Sequence, residues 1–74
     1  MKQRVYRYYC RYRPPMPGSI PRVGLVNGGA YDMPMSFDGI GNLWGYAEYN
    51  RILTDKEIND YELVESKRNP LNYD

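Results

Sequence analysis

Hydrophobic and polar positions alternate most clearly over residues 3–13, QRVYRYYCRYR. Aromatic and β-branched side chains favour an extended strand there. The double proline Pro14-Pro15 ends it, because proline cannot donate to a ladder. Alternation divides the strand into two faces. Tyr6, Tyr8, Cys10 and Tyr12 share one, which carries no charge past Arg4 and is the expected core side. Val5, Arg7, Tyr9, Arg11 and Arg13 share the other, a row of arginines with a tyrosine among them.

Residues 14–21, PPMPGSIP, read as a turn-rich connector whose Met16 and Ile20 can fold back over a sheet edge. Residues 23–26 suggest a short strand ended by a hairpin turn at Asn27-Gly28-Gly29. Partial alternation continues over residues 30–37, but Pro34 demotes that run to an edge strand or loop. A second turn cluster spans residues 38–42. Residues 43–51 form the second clear strand, with Trp44, Tyr46 and Glu48 on one face and Leu43, Ala47 and Tyr49 on the other. Gly45 marks a bulge or a place where an aromatic ring crosses the backbone. If this strand pairs with the first, Glu48 opposes Arg7 or Arg11. Thr54 and Glu57 have capping-box spacing, with Leu53 and Ile58 placed as a hydrophobic staple, so a helix of two to three turns begins there. Residues 62–65 suit a last edge strand. The expected fold is α+β: a small twisted antiparallel sheet of three to four strands with one short helix packed on it. Residues 1–65 make a single compact domain, and residues 66–74 a polar, frayed tail.

Composition narrows the chemistry. A chain of 74 residues buries only about 60% of its unfolded surface, which leaves its core marginal. With one cysteine and no histidine, it can make no internal disulfide and lacks the commonest metal ligands and general base. A homodimer, or docking on a larger partner, is the remaining route to extra burial. The lone thiol suits a reducing compartment. No apolar run is long enough for a membrane span or signal peptide, so a cytoplasmic location is expected. Charge is unevenly spread: residues 1–22 carry six bases and no acid, whereas residues 23–74 hold four bases against nine acids. This reads either as a basic binding face or as two halves that pair with each other in the fold.

None of the familiar catalytic constellations is present. Cys10 lacks a histidine to activate it, and a buried structural thiol explains it better. Glycines 24, 28, 29, 39 and 41 lack the spacing and the lysine of a phosphate loop, and turns account for them. Pro14 and Pro17 have Pro-x-x-Pro spacing, a weak signal inside so small a domain. The expectation is therefore no enzyme, no cofactor and no metal, with function residing in binding. Arginine and tyrosine are enriched at interface hot spots, which makes Arg7, Tyr9, Arg11 and Arg13 the expected partner-binding row. The same face could alternatively serve nucleic acid or nucleotide, arginine holding phosphate and tyrosine stacking on bases. On this expectation, alanine at Arg7 and Arg11 removes binding and leaves the fold intact.

The segments Arg11-Tyr12-Arg13-Pro14-Pro15-Met16-Pro17-Gly18, Trp44-Gly45-Tyr46-Ala47-Glu48-Tyr49 and Leu53-Thr54-Asp55-Lys56-Glu57-Ile58, with Tyr61-Glu62-Leu63 after them, together resemble a family of short proteins carried by bacteriophages and bacterial mobile elements. The resemblance supplies no catalytic or ligand residues. It implies a context: an accessory inhibitor in the host cell that binds a host defence protein or sequesters its nucleotide signal.

Overall fold

The computed structural model describes residues 3–37 and 39–73. Its strands are β1 (Gln3–Cys10), β2 (Leu25–Phe37), β3 (Ile40–Tyr49), β4 (Leu63–Glu65) and β5 (Leu71–Tyr73), with one helix, α1 (Asp55–Asp60). They form a five-stranded antiparallel sheet in the order β2-β3-β1-β4, with β5 also paired to β1. The fold is thus mainly β, and the expected α+β class is corrected. The capping box does form: the Thr54 side chain accepts from the Glu57 backbone N–H at 3.1 Å, and the Thr54 N–H donates to Glu57 Oε1 at 3.0 Å. The helix nevertheless ends after six residues, none of them buried. Glu62 takes a left-handed conformation (φ 55°) and turns the chain straight into β4. Sheet length, not helix packing, therefore sets the class.

β1 is central, which explains its composition. β3 lies along one side, pairing Tyr6 with Tyr49, Arg7 with Glu48 and Tyr8 with Ala47. On the other side β4 opposes Tyr8–Cys10 and β5 opposes Gln3–Val5. The gap between them falls at Arg7 and is closed by a side chain. Asn69 Oδ1 accepts the Arg7 backbone N–H at 2.7 Å, and Asn69 Nδ2 donates to the Arg7 carbonyl at 2.9 Å, so the amide substitutes for a ladder rung. The Ser66 N–H reaches the same carbonyl at 3.0 Å. Residues 66–73, expected as a frayed tail, are in this way tied to the central strand.

The main core lies on the expected face of β1 as far as Cys10, where the strand ends; Tyr12, expected on the same face, lies beyond it and is exposed. Tyr8 and Cys10 pack with Ala47 and Tyr49 of β3, Ile20 of the proline-rich loop, Leu53 and Leu63; Tyr6, Ile58 and Tyr61 close its margin. Tyr8 and Tyr49 meet edge to face at 5.9 Å, an arrangement worth about 1 kcal/mol beyond burial. Their hydroxyls fasten the loops that cover the core. Tyr49 Oη donates to the Pro21 carbonyl at 2.7 Å, and Tyr8 Oη accepts the Leu53 N–H at 3.0 Å. Burial raises both phenol pKa values and keeps the hydroxyls protonated. Ile20 folds back as expected, whereas Met16 stays exposed.

Two glycine sites correct the sequence reading. Asn27-Gly28-Gly29 is not a turn but part of β2, which continues for 13 residues. A Cβ at Gly29 would lie 2.8 Å from the Tyr46 ring, so glycine is what lets that aromatic cross the strand. At Gly45 the crossing ring is Pro15, not an aromatic: a Cβ there would run into Pro15 Cδ and stand 2.6 Å from the Gly29 carbonyl oxygen. The expected turn at residues 38–42 begins on Asp38, outside the described residues, and is over after Gly39 (φ 78°), because β3 already starts at Ile40 and Asn42, at φ 59°, lies within that strand.

Two outcomes are expected. Gly45→Ala should lower stability by about 1–3 kcal/mol through overpacking. Gly41→Ala, whose Cβ meets nothing within 4 Å, should stay within about 0.5 kcal/mol in the same urea titration. Glu57 chelates Arg51 at 2.8 and 2.9 Å, and that guanidinium, with the Thr54 backbone, holds its carboxyl down to about 2 from an ordinary 4.5. In this window the unfolded chain binds more protons, so stability rises with pH. The contribution is complete above about 4.5 and is lost as pH falls toward 2. Thermal melts from pH 2 to 6 should show a shallower slope for Glu57→Gln than for the wild type.

Candidate functional site

The structure separates the four residues expected to form a contact row. Glu48 sits opposite Arg7 with 1% of its surface exposed. Its Oε2 accepts from Arg7 Nε and lies 2.7 Å from Arg7 Nη2, while Oε1 accepts from Asn27 Nδ2 at 3.2 Å. A carboxylate with so little access to water must be compensated by partners. Here they come from β1 and β2, on either side of β3. The Arg7 guanidinium also stands over the Tyr46 ring, 5.5 Å from its centroid.

Tyr9 is buried, with 3% exposed. It stacks on Phe37 at 5.4 Å and an interplanar angle of 5°, and Tyr31 bridges Phe37 (5.6 Å) to Tyr46 (6.0 Å). The face expected to be solvated is thus a second aromatic cluster with Arg7 beside it. Arg7 and Tyr9 are taken up by the architecture.

Arg11 and Arg13 lie past the end of β1 and are exposed. Arg11 stands 5.5 Å from the centroid of Tyr12, itself 59% exposed, and Arg13 pairs at the surface with Glu62 at 3.0 Å. A shallow polar cleft of about 220 Å³ lies beside them, lined by Arg11, Tyr12, Ile58, Asn59, Glu62 and Leu63. Cys10, the last residue of β1, is buried, and burial pushes its thiol up to about 11. A neutral buried thiol is a poor nucleophile.

A larger surface went unnoticed in the sequence. Between the proline-rich loop and β2 runs a groove of about 390 Å³, with Pro15, Met16 and Ile20 on one wall and Leu25, Gly28 and Ala30 on the other. Along its length β2 also exposes Val26, Met33 and Met35. The available signal was the loop itself, which holds apolar Met16 and Ile20 among prolines. The glycine pair masked the wall opposite by reading as a turn.

Residues 3–68 match the family described as Defence against restriction A C-terminal. The chain belongs to that family. The match takes in β1 to β4 and α1 and ends before β5. It places the protein among the anti-restriction-associated domains of phages and mobile elements, the setting of the proteins that the sequence resembles. No curated protein and no solved structure gives a significant match. Among the described residues, no helix of this family member is long and apolar enough to cross a membrane.

The pairing of Arg7 with a buried acid alters the expected effect of mutation. Arg7→Ala removes the guanidinium that faces the buried Glu48 carboxylate and should cost about 3 kcal/mol, breaking a buried pair being far costlier than losing a surface one. Arg11→Ala and Arg13→Ala should each stay within about 0.5 kcal/mol. Urea midpoints of the three variants test this, and an Arg7→Ala midpoint equal to wild type would refute the structural role.

Proposed function

We propose that this protein is a non-catalytic binding protein that acts in the host cytoplasm by contacting and inhibiting a host restriction or related defence protein. The observation that carries the reading is family membership over residues 3–68 in a group named for defence against restriction. Physical features are consistent with it. The chain presents exposed arginines at the end of β1 and an apolar groove beside an edge strand, and surfaces of that kind suit protein recognition. Arg11 and Arg13 are the members of the arginine row that would make such contact.

The rival reading, nucleic-acid binding, draws on the exposed triplet Arg11-Tyr12-Arg13, in which a guanidinium already lies over a tyrosine ring. Affinity for nucleic acid falls steeply with salt because bound counterions are released.

Tagged protein should capture a restriction or defence component from a lysate of a restricting host, identified by mass spectrometry, and nuclease treatment should leave the yield unchanged. Arg11→Ala/Arg13→Ala should weaken capture about tenfold at an unaltered melting temperature. Capture abolished by nuclease, with steep loss between low and moderate salt, would replace this reading with the rival.

A further inference from the structure

We infer that the groove between the proline-rich loop and β2 receives an extended, apolar segment of a partner protein, which adds as a strand to the β2 edge and places a carboxylate on Arg22. The inference rests on the proposed binding function and identifies what the partner must offer.

β2 is the outermost strand of its side of the sheet, so the backbone on its far edge faces no neighbouring strand. Such an edge is a template for β-addition, in which main-chain hydrogen bonds supply affinity and side-chain pockets supply specificity. Proline cannot take part in a ladder as donor, but Pro34 lies well beyond the stretch that borders the groove, Leu25 to Ala30. Over that stretch Gly28 brings no side chain, whereas the space above Gly29 is filled by the Tyr46 ring. The register with β3 slips between Leu25 and Asn27, and Asn27 Oδ1 already accepts the Gly28 N–H at 2.9 Å, so an added strand pairs through the other backbone groups of the edge. The groove's volume of about 390 Å³ is within the roughly 300–1,000 Å³ typical of ligand sites. Its walls are apolar: Pro15, Met16 and Ile20 face Leu25 and Ala30. The remaining feature is charge. Arg22 is the charged residue that lines the groove, and it is exposed. An apolar channel with one guanidinium at its border complements an apolar strand bearing an acid.

The probe is a capped, dye-labelled peptide that alternates valine with serine and ends in aspartate, compared with versions that end in lysine or carry proline at the centre. Fluorescence anisotropy should show saturable binding of the aspartate peptide, about tenfold weaker binding of the lysine peptide, and none of the proline peptide. Amide resonances of Leu25 to Ala30 should shift on titration. Ala30→Trp, which fills the groove from an exposed position, should abolish binding, and Arg22→Glu should reverse the preference toward lysine; circular dichroism verifies that both remain folded. Absence of saturation, or binding indifferent to Ala30→Trp and Arg22→Glu, overturns the inference. So does a concentration-dependent dimer that Ala30→Trp disperses, because the occupant would then be a second copy. Host-protein capture that survives Ala30→Trp also overturns the groove while leaving the binding function standing. If the wild type captures no host protein, the binding function falls, and the peptide titration alone decides the groove.

Discussion

The Glu48 carboxylate is the constraint around which the sheet is arranged. It is nearly sealed from water, and an ionised acid in such a place is tolerated only when cations and donors surround it. Arg7 meets it from β1 and Asn27 from β2, so three strands are held in register by one side chain. Arg7 is in turn gripped through its backbone by Asn69 and Ser66, and its guanidinium stands over Tyr46 at the margin of the second aromatic cluster. A substitution at this centre therefore reaches β1, β2, β3 and the C-terminal segment together.

A sheet with so few aliphatic residues solves its packing with tyrosine. The chain has nine tyrosines and one phenylalanine, and both faces of β1 bury them. A phenol brings a polar atom into the core, where an unpaired hydroxyl would be costly. Tyr8 and Tyr49 turn that need to use by tying down Leu53 and Pro21, the points where the helix and the proline-rich loop join the body of the fold. Among the described residues, no buried side-chain nitrogen or oxygen lacks a partner.

Arg7 is tied to Glu48 and Tyr9 is buried, which leaves Arg11 and Arg13 as the exposed members of the arginine row. Two of the surfaces that face solvent are the Arg11-Tyr12-Arg13 exit of β1 and the uncovered flank of β2. The first is basic and lies beside a polar cleft; the second is apolar and lies along an unpaired strand edge.

The sequence by itself determined the local features. Alternation identified β1 and its core face, the Thr54/Glu57 spacing located the helix start, and the charge pattern anticipated that Glu48 would oppose an arginine of the first strand. These follow from periodicity and from interactions within a few residues or across one expected pairing. Only the tertiary structure decided the rest. Gly28 and Gly29 are neutral between turn and strand until Tyr46 needs the space above Gly29. Asn69 looks like tail composition until the gap between β4 and β5 requires an amide at Arg7. Period-two alternation shows which residues share a face of β1, but not that its second face is covered too. That depended on Tyr31 and Phe37 arriving from more than twenty residues away, a contact set by chain topology and not by any local pattern.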